Sequence, residues 1–161
     1  KGQSYSVSLG IKNSLNKIII TLDGDGQNDP ADIPKLLDYY LINKDIELIG
    51  GIRKKRKDNL IKIISSRIAN SIRSRVLNDE CEDTGCSLKV FNKDIFLLFP
   101  YFDGIHRFLP ALFKGYGYRT KFINVNHRKR KYGVSNYGTL YRLFNGIKDM
   151  NKVRNIINKK K

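Results

Sequence analysis

The sequence predicts an α/β domain organised around one sheet, and three observations carry that expectation. A β-branched run, Lys17-Ile18-Ile19-Ile20-Thr21-Leu22, stops abruptly in Asp23-Gly24-Asp25-Gly26. A second apolar run, Ile46-Glu47-Leu48-Ile49, closes on two glycines, and the stretches between such runs place apolar residues at helical spacing. Strands alternating with helices in this way give layered α/β architectures.

Taken in order, Ser4 to Asn13 reads as a short helix with Val7, Leu9 and Ile11 on or near its buried side. The run from Lys17 to Leu22 fits a strand buried on both faces, followed by a turn of Asp and Gly. Asp29-Pro30 marks a helix start, Asp29 as N-cap and Pro30 at the first position, because proline's missing N–H is not needed there. That helix is expected to reach about Asn43 and to bury Ile33, Leu36, Leu37, Tyr40 and Leu41. Asp45 to Gly51 is the second strand, and the basic stretch Arg53-Lys54-Lys55-Arg56-Lys57 reads as a loop. From Asp58 to about Leu77 an apolar stripe of Ile61, Ile64, Ile68, Ile72 and Val76 predicts a helix. Thr84 to Phe91 is strand-like, and Asp94 is placed as the cap of a helix through Leu98. Leu109 to Lys114 reads as helix, Lys121 to Val125 as strand, Gly133 to Gly138 as loop, and Leu140 onward as an amphipathic helix. With no internal repeat and no linker composition, residues 1–161 are expected to form one domain, with about 140–161 as a tail suited to a membrane surface.

At 161 residues the chain can bury a real core. Its longest nearly apolar stretch, Ile95 to Phe102, falls far short of the roughly 20 residues that span a bilayer. The chain opens on polar Lys1-Gly2-Gln3-Ser4, which does not read as a secretion signal, and it lacks an initiator Met, which leaves room for residues upstream. Cys81 and Cys86 are too few for a disulfide framework and lack the partners of a zinc site, so a reducing compartment is expected. The formal charge of +16 suggests a polyanionic partner: nucleic acid, an anionic membrane surface or a phosphorylated substrate. A Lys-, Ile- and Asn-rich composition accounts equally well for the lysines, whereas several arginines stand at isolated, specific places.

The strongest chemical signal is Asp23-x-Asp25. Two carboxylates at the end of a buried strand point into the crevice where α/β sheets bind ligands. Hard oxygen donors suit Mg²⁺ or Mn²⁺, which keep waters and also grip substrate phosphates.

The segment Thr21-Leu22-Asp23-Gly24-Asp25-Gly26-Gln27-Asn28-Asp29-Pro30 resembles the Asp-Ala-Asp-Leu-Gln-x-x-Pro segment of dolichol- and undecaprenyl-phosphate sugar transferases, with Gly24 and Gly26 replacing Ala and Leu. Three further segments follow in the order of that family. Gly51-Ile52-Arg53 with Arg67 resembles its pair of phosphate-binding arginines, although by itself Arg67 reads as a solvent-exposed helical residue. Asp83-Thr84-Gly85-Cys86-Ser87-Leu88-Lys89 resembles its Asp-x-Gly-x-x-x-Lys/Arg segment near the acceptor. Asn126-His127-Arg128-Lys129-Arg130, continuing to Gly133, Ser135, Asn136, Tyr137 and Gly138, is similar to its His-Arg-Pro-Arg-x-x-Gly-x-Ser-Lys-Tyr-Gly signature; Lys129 replaces Pro and Asn136 replaces Lys. His106-Arg107-Phe108-Leu109-Pro110-Ala111-Leu112 resembles a segment of the bacterial branch, where His106 has a structural or a catalytic reading.

What the resemblance implies is a family 2 glycosyltransferase of GT-A type, with a Rossmann-like mixed sheet flanked by helices. The family's first strands, with a Pro-x-x-Asn-Glu segment that holds the nucleotide base, have no counterpart here, so an amino-terminally truncated domain is expected. The implied reaction is metal-dependent, inverting transfer of a sugar from a UDP- or GDP-linked donor to a polyprenyl phosphate. Asp23, Asp25 and Gln27 would meet Mg²⁺ or Mn²⁺, with Asp23 and Gln27 also on the nucleotide diphosphate. Arg53, Arg67, Arg128 and Ser135 would bind substrate phosphate. Asp25 and Asp83 are the catalytic candidates, Asp83 as an orienting, acceptor-side carboxylate. The implied location is cytoplasmic, peripheral at the inner face of the membrane against anionic lipid. A basic nucleic-acid-binding module and a non-catalytic transferase remnant stand as the alternatives.

Overall fold

The structure, a computed structural model, describes residues 2–53, 60–128 and 139–160, excepting the side chains of residues 60–67 and 139–145. Helix α1 (Gln3–Asn13) leads into β1 (Ile18–Thr21); α2 (Ile33–Ile42) leads into β2 (Ile46–Arg53). Then come α3 (Leu60–Leu77), β3 (Lys89–Asn92), α4 (Lys93–Leu97), α5 (Leu109–Gly115), β4 (Arg119–Val125) and α6 (Thr139–Asn158). The four strands form one sheet in the order β1-β3-β2-β4. Strand β3 is antiparallel to both β1 and β2, while β2 and β4 run parallel. Strands β1, β2 and β4 therefore share a direction, and their carboxyl ends reach the same edge of the sheet.

Alternation along the strands sends side chains to two cores. Ile19, Leu48 and Phe91 join a large cluster with α4, α5 and α6, built on Phe96, Phe113 and Val153 among others. Ile49, Val90 and Leu88 face α2 and pack with Leu36 and Val125. A register shift between Ile46 and Leu48 lets these two residues serve opposite faces. The larger core is held by edge-on aromatic pairs, Phe99 lying 4.8 Å from Tyr116 and 5.2 Å from Phe113 between ring centroids.

Several expectations need correction. Strand β1 is not buried on both faces: it lies at the sheet edge, and Ile20 is partly exposed. Apolar grooves flank it, one of them lined by Ile18, Ile20, Leu37 and Leu41. Of the five residues assigned to the buried face of α2, only Leu36 is fully buried, and Leu41 is exposed. Asp29 does accept from the Ala31 N–H as a cap, but over one 3₁₀ turn, Pro30–Asp32, from which α2 continues. Leu9 of α1 is exposed, whereas Ser4 and Ser8 are buried. On α3 the apolar stripe faces outward where described, Ile68 being 57% and Ile72 53% exposed, while Arg73 is buried against Asp79. The strand expected from Thr84 begins only at Lys89, residues 84–88 forming a loop, and α4 is capped by Asn92 rather than Asp94. The terminal segment is helical from Thr139 to Asn158, and its Val153 and Ile157 are spent on the core. Both cysteines are free and buried.

Candidate active site at the strand ends

Four segments converge on the edge where the parallel-directed strands end. Residues 22–29 leave β1, Arg53 ends β2, residues 126–128 leave β4, and the loop 83–88 enters β3 from the same side because β3 runs backwards. Ligands collect at such an edge because adjacent connections diverge there. The Asp-Gly-Asp turn is shaped locally: Asp25 Oδ1 accepts from Gln27 N at 3.0 Å, and Gly26 takes φ +74°, a left-handed conformation that the usual leucine would resist. Asp23 accepts from Gln3 Nε2 at 3.0 Å, and its own N–H donates to Ser87 Oγ at 2.9 Å.

The loop is also tied to the end of β4. Asn28 and His127 form an isolated bridge, Arg128 N donates to Gln27 O at 2.8 Å, and the Gln27 amide nitrogen stands 3.4 Å from His127 Nε2. Arg128 Nη2 reaches Asp29 Oδ1 at 2.6 Å. The Asp29 carboxyl is held below its usual range, first by the Ala31 N–H and then by Arg128. Behind β4, buried Asp32 accepts from Asn126 N at 2.7 Å and so fixes where the 126–128 segment starts.

Arg53 and Asp83 form a fork. Arg53 Nε donates to Oδ2 at 2.7 Å and Nη2 to Oδ1 at 2.6 Å, with the Arg53 backbone N–H adding a contact at 3.2 Å. Glycines make the fork possible. A Cβ on Gly85 would lie 2.7 Å from Arg53 Nη2, and one on Gly51 would lie 2.8 Å from Cys86 Sγ. Asp83 thus aims the guanidinium. Beside it Lys89 is buried and donates to the Cys86 carbonyl; burial depresses its ammonium pKa.

Asp23, Asp25, Gln27, Arg53, Asp83 and Arg128 are accordingly brought to one edge. Arg67 lies on α3, but its side chain falls outside the described residues, as does Ser135 with the loop from Gly133 to Gly138. His106 sits in a 3₁₀ turn, Ile105–Arg107, with Nδ1 2.9 Å from Ser4 Oγ, which also accepts from Gly104 N at 2.7 Å. Burial, then Arg107, lowers its pKa to about 4. Sequence reasoning did not single out His127, Asn28, Ser87 or Gly85 as site residues. All four lay inside quoted motifs, but Asn28 and Ser87 meet only in the folded chain.

Among the described residues no three His, Cys, Asp or Glu side chains form a metal cage. Two carboxylates on one turn would fit an ion that completes its shell with water and phosphate oxygens, as Mg²⁺ and Mn²⁺ do. The fold and this edge define an α/β domain that gathers carboxylates and arginines at the carboxyl ends of its parallel-directed strands.

Comparison with known proteins gives that class a family. Residues 1–98 match the family described as Glycosyl transferase family 2, and the chain belongs to it. It is 37% identical over 152 residues to the dodecaprenyl-phosphate galacturonate synthase of Rhizobium johnstonii, covering 92% of this chain and 44% of that protein. Against the undecaprenyl-phosphate 4-deoxy-4-formamido-L-arabinose transferase of Pectobacterium carotovorum the identity is 30% over 149 residues, covering 92% and 45%. The chain thus spans less than half the length of these curated relatives. Among solved structures, glucosyl-3-phosphoglycerate synthase of Mycobacterium tuberculosis, in complex with Mn²⁺, UDP-glucose and phosphoglyceric acid, superposes with a TM-score of 0.68 at 10% identity. That match covers 97% of this chain and 56% of that one, and the fold is GT-A.

Proposed function

We propose that this domain transfers a sugar from a nucleotide-diphospho-sugar to a polyprenyl phosphate, with inversion and with the help of Mg²⁺ or Mn²⁺. The observation that carries the reading is the meeting of the Asp23-x-Asp25 turn with the Arg53–Asp83 fork and Arg128 at one sheet edge. The names of the relatives supply the acceptor class, and the Mn²⁺ and UDP-glucose of the structural neighbour support the donor and metal.

The chemistry asks little of a general base, because a phosphate monoester with a second pKa of about 6 is largely dianionic at neutral pH. Positioning and relief of charge on the departing diphosphate matter more. Asp23 and Asp25, with Gln27 alongside, would hold the divalent ion, which supplies Lewis acidity at that diphosphate. Arg53 and Arg128 offer planar donors matched to phosphate oxygens, and Arg67 and Ser135 are assigned the same task from sequence. Asp83 orients Arg53. Attack from the face opposite the nucleotide inverts the anomeric carbon.

Membrane placement belongs to the same proposal. Lys148, Lys152, Arg154, Lys159 and Lys160 on and just beyond α6 are exposed, and the helix turns Val153 and Ile157 inward. The domain would rest by charge on the anionic inner face of the membrane, and no described helix is long and apolar enough to cross it. The test is calorimetric binding of UDP and GDP to the 161-residue chain with and without Mn²⁺, using Asp23→Asn/Asp25→Asn as control. Metal-dependent binding lost in the double variant is expected; binding that persists unchanged in it refutes the site.

A further inference from the structure

The Asp-Gly-Asp turn carries two glycines and would, left to itself, sample many conformations. One side chain closes it. Ser87 Oγ accepts from Asp23 N at 2.9 Å, where the turn begins, and from Asn28 Nδ2 at 2.6 Å, where it ends. The Ser87 carbonyl accepts from Thr21 Oγ1 at 2.7 Å, so the last residue of β1 is pinned to the same point. Both lone pairs of the hydroxyl are thereby used. Asn28 is only 6% exposed; its Oδ1 faces Cys86 Sγ at 3.8 Å, and its backbone bridges His127. Ser87 lies four positions after Asp83, which orients Arg53. A single short loop therefore sets both the carboxylate turn and the guanidinium.

We propose that Ser87 is a positioning residue for the metal–diphosphate site. Its hydroxyl clasps the turn so that the Asp23 and Asp25 carboxylates are aimed before the ligand arrives. This rests on the proposed function. Removing the hydroxyl leaves the Asp23 N–H and the buried Asn28 amide without their acceptor, and the turn then relaxes by rotating about Gly24 and Gly26. The cost should fall on metal binding rather than on the fold alone.

The test uses the 161-residue chain with Ser87→Ala, Ser87→Thr and Ser87→Cys. Mn²⁺ affinity is read by loss of the free-ion paramagnetic resonance signal in the presence of UDP, well below each protein's unfolding temperature. Ser87→Ala should weaken Mn²⁺ binding by about tenfold or more, the range seen when groups that orient metal ligands are removed. Ser87→Thr should restore it, because the hydroxyl returns. If Ser87→Ala does not fold, Ser87→Cys, of similar shape but a weak acceptor, should show the same loss. Mn²⁺ affinity unchanged in Ser87→Ala, or in Ser87→Cys where that variant stands in, overturns the proposal, even if the variant unfolds earlier. No Mn²⁺ binding by the unsubstituted chain with either UDP or inorganic pyrophosphate, which needs no base site, would overturn the metal–diphosphate reading itself, a result distinguishable from the first.

Discussion

Truncating Asp83 should destabilise the domain far more than a surface ion pair would. Arg53 and Asp83 are only 13% and 7% exposed at their side chains, and they share two hydrogen bonds of 2.7 and 2.6 Å in a bidentate fork. Asp83→Ala leaves a desolvated guanidinium without its counter-charge, a loss of about 3–5 kcal/mol for buried pairs broken on one side. In a domain of this size that lowers the unfolding midpoint by roughly 6–20 °C. Arg53→Ala should cost less, because the Asp83 carboxylate keeps the Arg53 backbone N–H at 3.2 Å. The double variant should cost less than the sum of the two, since neither charge is then stranded. Urea unfolding of the four proteins, followed by circular dichroism, gives the coupling directly. A coupling below about 0.5 kcal/mol, the level of exposed pairs, would refute the claim that the fork is a desolvated unit.

Other consequences can be measured on the same material. Gly85→Ala puts a methyl group 2.7 Å from Arg53 Nη2, so the guanidinium must move; calorimetry should show weaker UDP binding, with about 1–3 kcal/mol lost in urea unfolding. His106, with a folded pKa of about 4, stays neutral while the unfolded chain begins to take up a proton below about 6.5. Its contribution is therefore complete above pH 6.5 and fades as pH falls towards 4, by at most about 3 kcal/mol; His106→Gln should remove that part of the slope in pH-dependent thermal unfolding. Flotation with liposomes should show binding to anionic but not to neutral vesicles, released by salt, at about 1 kcal/mol per well-placed cation on α6. Equal binding to both vesicle types would remove charge as the cause.

The fold was legible where chemistry is local. The β-branched run at Ile18, the Asp29-Pro30 start and the apolar spacing of the terminal helix each predicted an element that the structure contains. Strand order was not legible, because it is decided by pairings such as Ile18 with Asn92. Nor was burial on α3: helical spacing cannot tell an inward stripe from an outward one, and here Arg73 rather than Ile72 turns inward, drawn by Asp79. In the site, the motif residues were readable one by one, but not that Asp83 engages Arg53. Ser87 stands inside the Asp83–Lys89 motif, but its role was not readable there, since a serine acquires it only when Asp23 and Asn28 are folded onto it.

The backward course of β3 also shapes how this molecule comes to exist. Ile18 waits for Asn92, Ile46 waits for Arg119, and the parallel β2–β4 ladder cannot start until most of the described chain has been made. Such non-local pairing slows the search for the native state. The Asp23–Gln27 turn and Arg53 are made early, but Arg128, which ties that turn to β4, is made last. A polypeptide released before Arg119 would carry the Asp-x-Asp turn without His127 and Arg128, the residues that tie it to the end of β4.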